Sequence, residues 1–186
     1  MEEQEKMEKL VFLAKNKDAH AFSLLYEMVY EDLYRMALYT LGNSHDAEDV
    51  VGDTVLDAYS QIGNLRDETA FRGWIFKILT NKCRRKIKEY IGQREQMVVE
   101  FSEETADYAG DASYRKDEME QVLDRQEIAY AFSCISREER LLVTMAVYGG
   151  YDSREIARIL HMNRNTVRSK YQRALKKMRE SLKKME

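Results

Sequence analysis

The stretch Asp152-Ser153-Arg154-Glu155-Ile156-Ala157-Arg158-Ile159-Leu160-His161-Met162-Asn163-Arg164-Asn165-Thr166-Val167-Arg168-Ser169-Lys170-Tyr171-Gln172-Arg173 decides how this chain folds. Ile156, Ile159 and Leu160 share one side of a short helix, and Asp152 with Glu155 forms the pattern of a capping box at its start. Ala157 is small at the point where two helices must approach closely. Asn163 is placed to cap a second helix, whose apolar stripe runs Val167, Tyr171, Ala174, Leu175, Met178 and Leu182 at helical spacing. His161 occupies the turn, where many such units have glycine; His is among the residues that tolerate positive φ. The spacing predicts a helix-turn-helix, a unit that lays its second helix in the DNA major groove with its N-terminal residues at base edges.

Charge on the second helix agrees. Between Arg164 and Glu186 nine Lys and Arg stand against two Glu, a balance of +7 in a chain whose net charge is −3. Positive charge gathered into one segment of an acidic protein is the footprint of a phosphate-binding surface. The plainer alternative is a solvated amphipathic helix, because cations near a C-terminus also suit the helix dipole.

Outward from this unit, 186 residues suffice for one substantial core or two small ones. The chain has no proline, eight glycines and 34% charged residues, and it is rich in Leu, Met, Glu, Lys, Arg and Ala. That composition predicts an all-α fold. Three zones emerge: residues 1–92, dense in helical pattern from residue 18 onward behind an acidic tail; residues 93–120, where the pattern breaks; and residues 121–186, a second helical block. From 96 to 120 eight acids stand against Arg115 and Lys116, and Met97, Val98, Val99 and Phe101 have no sustained period. This predicts a flexible acidic linker joining two small helical domains. Cys83 and Cys134 fall in apolar stripes and read as reduced core residues. No Cys/His spacing suits a metal, no cofactor motif is present, and no Ser/His/Asp, Cys/His or Gly-rich phosphate arrangement suggests an enzyme. With neither an apolar signal region nor an uncharged run of membrane-spanning length, the expected location is cytoplasmic.

In the first block, Ala21 through Leu41 is apolar on most sides and predicts a central helix ended by Gly42, with Asn43 or Ser44 capping the next. That next helix has Ala47, Val50, Val51, Val55, Ala58, Tyr59 and Ile62 on one face and Asp46, Asp49, Asp53 and Asp57 on the other. Four aspartates in a row suit a solvated face or a dock for a basic partner, and the residues alone leave both open. Residues 63–70 read as a loop. A third helix follows, with Phe71, Trp74, Ile75, Ile78, Leu79, Cys83, Ile87, Tyr90 and Ile91 on its buried side. Lys77, Asn81, Arg84 and Lys88 line its opposite stripe, flanked by Lys82, Arg85 and Lys86. From Lys77 to Arg94 the balance is +6, so each block carries a basic helix.

The three zones in this order resemble an extracytoplasmic-function (ECF) sigma factor, the small two-domain specificity subunit of bacterial RNA polymerase. Asp46-Ala47-Glu48-Asp49-Val50-Val51-Gly52-Asp53-Thr54-Val55 and Phe71-Arg72-Gly73-Trp74-Ile75-Phe76-Lys77-Ile78-Leu79-Thr80-Asn81 are similar to the family's polymerase-binding and promoter-melting domain. Glu138-Glu139-Arg140 through Arg173 is similar to its second domain. The resemblance implies that Asp46, Glu48, Asp49 and Asp53 face a basic coiled coil of the polymerase clamp. It assigns the loop with Arg66 and Asp67, and the adjacent Asn81, Lys82, Arg84, Arg85 and Lys88, to the minus-ten element. It assigns Arg164, Asn165, Thr166, Arg168, Ser169, Lys170, Gln172 and Arg173 to the minus-thirty-five element.

Two departures stand out: Gly52 replaces the usual Gln, and Ser136-Arg137-Glu138 replaces a common Pro before the second domain's first helix, with Ser136 available as a cap. The implied function is an alternative sigma factor that binds bacterial core RNA polymerase and directs transcription from particular promoters, with promoter DNA as a partner and no small-molecule substrate. Family members are commonly held by an anti-sigma factor, often membrane-anchored, which would sequester the protein at the inner face of the membrane. Two rivals remain: a stand-alone dimeric helix-turn-helix repressor or activator, which leaves the first basic helix and the aspartate stripe unexplained, and a helical adaptor that binds only protein.

Overall fold

A computed structural model describes residues 2–96 and 118–184, with side chains at 3–92 and 126–184. The described residues form helices joined by turns, without strands. Helix α1 spans Glu2–Lys15, α2 Ala19–Leu41, α3 Ser44–Gln61 and α4 Phe71–Gln96, with two 3-10 turns, Ile62–Asn64 and Glu68–Ala70, between α3 and α4. Helices α5 (Glu118–Ser133), α6 (Arg137–Val147), α7 (Ser153–Leu160) and α8 (Arg164–Leu182) make the second group. The expected linker falls mostly at residues 97–117, outside the described residues; α4 and α5 extend a few residues into it from either side.

Helix α2 is the central element. Leu25, Val29, Leu33, Met36 and Ala37 recur at three- and four-residue spacing and are fully buried. Asp18 caps its start by accepting from the Ala21 amide at 3.0 Å. Gly42 ends it with φ 72°, its N–H donating to the Leu38 carbonyl at 2.7 Å. Asn43 then caps α3, as expected. Helix α4 contributes Phe71, Ile75, Phe76, Leu79 and Cys83, all fully buried.

Three readings need correction. The acidic tail is helix α1, whose Met7, Leu10, Val11 and Ala14 are buried against α2; exposed Phe12 and Leu13 beside them fill in the gaps of the apolar period and hide it. Lys15 anchors this helix to Glu68 at 2.5 Å. Cys134 is exposed, since it lies just past the C-terminal end of α5, whereas Cys83 is buried and burial pushes its thiol up to about 12. Ile91, expected on the buried side of α4, is 48% exposed, while Phe76, not expected there, is fully buried.

The two helical groups do not keep separate cores. One apolar cluster runs from α1–α4 into Leu141, Leu142, Met145, Ile156, Ala157 and Val167. A second joins Tyr39 of α2 to Ala129, Phe132, Ile135, Val143 and Ala174. The seam is also polar: Thr40 and Thr144, both fully buried, share a hydroxyl hydrogen bond of 2.7 Å. Tyr39 stacks on Phe132 with ring centroids 4.8 Å apart.

Candidate nucleic-acid interface

The helix-turn-helix is built by its caps. Asp152 accepts from the Arg154 and Glu155 amides while the Glu155 carboxylate accepts from the Asp152 amide at 2.8 Å, a complete capping box. His161 takes the left-handed conformation at φ 55°, and the Met162 amide returns to the Ala157 carbonyl at 2.9 Å, closing the helix end as glycine would. Asn163 accepts from the Asn165 amide at 2.8 Å and starts α8. Val167 and Ala174 bury one side of α8 against the rest of the domain. The opposite side carries Arg164, Asn165, Thr166, Arg168, Ser169, Gln172 and Arg173, all exposed. Lys170 is half-buried and pairs with Glu138 at 3.0 Å. Lys177 pairs with Glu139 at 2.8 Å, and this Glu139 is also the reciprocal member of the capping box formed with Ser136. These contacts tie α8 to α6, although exposed ion pairs add little stability each.

In the first group, α3 and α4 lie side by side and their charged stripes meet. Lys86 Nζ lies 2.8 Å from Asp46, and the Tyr90 hydroxyl donates to the same carboxylate. Burial alone would raise Asp46, but the hydrogen bonds from Lys86 and Tyr90 outweigh it and hold the carboxyl below its ordinary value. The bond to Asp46 raises Lys86; burial, then that carboxylate, raises Tyr90. Lys82, with 11% side-chain exposure, reaches Asp57 at 2.7 Å and Asp53 at 3.7 Å; Arg85 lies 3.9 Å from Asp53. The aspartate stripe is therefore partly consumed by α4. Its outward residues are Glu48, Asp49 and Asp53, with Gly52 between them and exposed Leu56 beyond.

Of the residues expected at the downstream element, Arg66, Asp67, Asn81, Arg85 and Lys88 are exposed. Asp67 caps its own turn, accepting from the Thr69 hydroxyl at 2.7 Å and amide at 3.0 Å, and those bonds lower its carboxyl. Lys82 turns toward α3, and Arg84 donates to the Ile159 carbonyl at 3.0 Å.

Comparison with known families gives two matches in this order, Sigma-70 region 2 over residues 25–90 and Sigma-70 region 4 over residues 125–178. The chain belongs to the ECF sigma-factor family. Among similar proteins, the sigma factor SigL of Mycobacterium tuberculosis is 29% identical over 166 residues, covering 89% of this chain and 90% of its own. SigV of Bacillus subtilis is 27% identical over 152 residues, covering 80% and 83%. Two solved structures share the fold: CnrH in complex with the cytosolic domain of CnrY, and Bartonella quintana RpoE in complex with the anti-sigma factor NepR. The first has TM-score 0.62 and 20% identity, covering 96% of this chain and 97% of the other. The second has TM-score 0.66 and 22% identity, covering 87% and 96%. This ECF sigma factor is a non-enzymatic initiation factor that directs promoter-specific transcription by core RNA polymerase.

The pairing of the two charged stripes was not anticipated. Asp46, Asp53 and Asp57 recur at spacings of seven and four, Lys82 and Lys86 at a spacing of four, and opposite stripes on consecutive helices are the signal that would have found it. The contacts of Arg84 and Arg72 carry no such signal, because both donate to backbone carbonyls more than seventy residues away.

Proposed function

We propose that the exposed side of α8 reads the minus-thirty-five duplex while α4 and the Arg66–Ala70 turn hold the minus-ten strand. The single observation behind this reading is the cap-built α8, whose Arg164, Asn165, Thr166, Arg168, Ser169, Gln172 and Arg173 all point to solvent. Arg and polar side chains at such positions discriminate bases by about 1–3 kcal/mol per good pair. At the downstream element a base must leave the stack, which costs a few kcal/mol; Arg66, Asn81, Arg85 and Lys88 offset it by contacts to the exposed strand. Lys82 and Lys86 act as internal braces that hold α4 on α3. Glu48, Asp49 and Asp53 dock on a basic surface of the polymerase, which holds the two readers at the promoter's spacing and lets two weak sites act as one strong one. The domain bounds proposed are 1–92 and 121–186 around a linker at 93–120.

An anti-sigma factor is proposed as a further partner: the solved complexes of CnrH with the cytosolic domain of CnrY and of RpoE with NepR support it by analogy. A membrane-anchored form of that partner would hold the chain at the inner face of the membrane; among the described residues no helix of the chain itself is long and apolar enough to cross one. In vitro transcription with bacterial core polymerase, followed by start-site mapping, tests the reading. Starts clustered downstream of shared paired elements are expected, and an absence of specific transcripts would overturn it.

A further inference from the structure

We infer that Lys15 is a positioning residue for minus-ten reading: by gripping Glu68, it makes helix α1 the brace that holds the turn at residues 66–70 where it takes the exposed strand. The inference rests on the assignment of that turn to the downstream element. Lys15 lies in the last turn of α1, and its Nζ reaches Glu68 Oε1 at 2.5 Å across 53 residues of sequence. Both side chains are half-buried. Helix α1 packs against both 3-10 turns, Ile62–Asn64 and Glu68–Ala70. The end of α1 is itself fixed. The Lys17 amide donates to the Ala14 carbonyl at 3.0 Å and the Asp18 amide to the Leu13 carbonyl at 3.3 Å, with Lys17 left-handed at φ 68°. Met7, Leu10, Val11 and Ala14 seat the helix on α2. Lys15 therefore projects from a rigid base.

The turn needs such a tether because it has little apolar anchorage. Leu65 and Phe71 are buried, but every residue from Arg66 to Ala70 is exposed or half-buried. Lys15 ties the middle residue of this five-residue span. The Asp67 carboxylate accepts from the Thr69 amide and hydroxyl, and the Ala70 amide donates to the Asp67 carbonyl at 3.1 Å. Those bonds lie within residues 67–70, so they set the curl of the turn but not where it stands on the domain. The bond from Lys15 supplies that position. Groups that discriminate a base must be held near their productive geometry, so a span free to shift would take the strand with less selectivity. An ion pair this open adds little stability; its effect falls on the placement of Arg66, Asp67 and Thr69.

The test reads start sites made by holoenzyme on promoters randomised over both elements, together with amide exchange in the free full chain. Lys15→Ala is expected to flatten base preference at the minus-ten element by about two- to fivefold, the range such an ion pair can supply, and to leave preference at the minus-thirty-five element unchanged. Exchange at the Thr69 and Ala70 amides is expected to rise by a similar factor, with the thermal midpoint within a few degrees of wild type. Combining Lys15→Glu with Glu68→Lys is expected to restore both readouts. Combining Lys15→Ala with Glu68→Ala separates placement from charge, and this variant is expected to stay as unselective as Lys15→Ala alone. Its recovery would mean that Lys15 only cancels a negative charge near the strand, and would overturn the inference. Equal losses at both elements, unchanged exchange at Thr69 and Ala70, or a charge swap that restores neither readout would overturn it too. Wild-type holoenzyme with no minus-ten preference would instead overturn the promoter-reading assignment, while amide exchange still reports on the tether.

Discussion

The Tyr90 hydroxyl on α4 donates to the Asp46 carboxylate at the start of α3, across 44 residues of sequence, and Lys86 closes the other side of the same carboxylate at 2.8 Å. Because these bonds hold Asp46 below its ordinary value despite burial, the carboxylate adds stability at neutral pH that is lost as pH falls through its lowered folded value. Tyr90→Phe is expected to cost about 0.5–1.5 kcal/mol at neutral pH. The gap to wild type should narrow as pH falls past the ordinary aspartate value and through the lowered value of Asp46. Chemical denaturation at several pH values, with carboxyl NMR on Asp46, checks both; a gap that does not change with pH would contradict the assignment.

The same relationship explains what could be read from sequence and what could not. Helix existence, the caps at Asn43, Ser136, Asp152 and Asn163, and the strained turn at His161 are local, written within four residues of each other. The exposed side of α8 was legible for the same reason: helical period sorts Val167 and Ala174 inward and Arg168 and Gln172 outward. The orientation of Asp46, Lys82 and Arg84 was not legible, because it depends on which helix lies opposite. Period places Asp46 away from Ala47 and Val51, yet α4 arrives on that side and covers it. Helix α1 was missed through the opposite failure, since contiguous Leu10-Val11-Phe12-Leu13 obscures the period that its buried Leu10 and Val11 obey.

The aspartates of α3 should divide by their partners. Asp49 is exposed and lies 3.7 Å from His45, whereas Asp57 is tied to Lys82 at 2.7 Å. Asp49→Ala is therefore expected to weaken polymerase affinity by about 1 kcal/mol or more, with little change in stability, and Asp57→Ala to leave affinity within twofold. Titration of labelled variants against core polymerase measures the split, and equal losses would argue against the dock proposed here.

Promoter variants separate base reading from phosphate contact. Arg168 and Arg173 are exposed on α8, and Lys88 on α4. Arg168→Ala and Arg173→Ala are expected to lower transcription from promoters with an intact upstream element by about five- to a hundredfold and to be nearly silent where that element is scrambled. Lys88→Ala should act almost independently of sequence and reduce the salt dependence of binding by about one phosphate contact. Equal losses for all three across promoter variants would contradict the assignment.

Gly52 offers a gain rather than a loss. It lies inside α3, exposed, and an added Cβ would meet nothing within 4 Å. The backbone there is helical, so the only effect of removing glycine's extra freedom is to make the unfolded chain less favourable. Gly52→Ala is expected to stabilise the protein by about 0.5–1 kcal/mol, raising the thermal midpoint by a few degrees. Gly52→Gln should keep part of that gain and add a side chain between Glu48 and Asp53, on the face proposed for polymerase. A gain in both stability and polymerase affinity for Gln, against stability alone for Ala, would separate helix propensity from contact; a loss of stability in both would mean that α3 bends at this position.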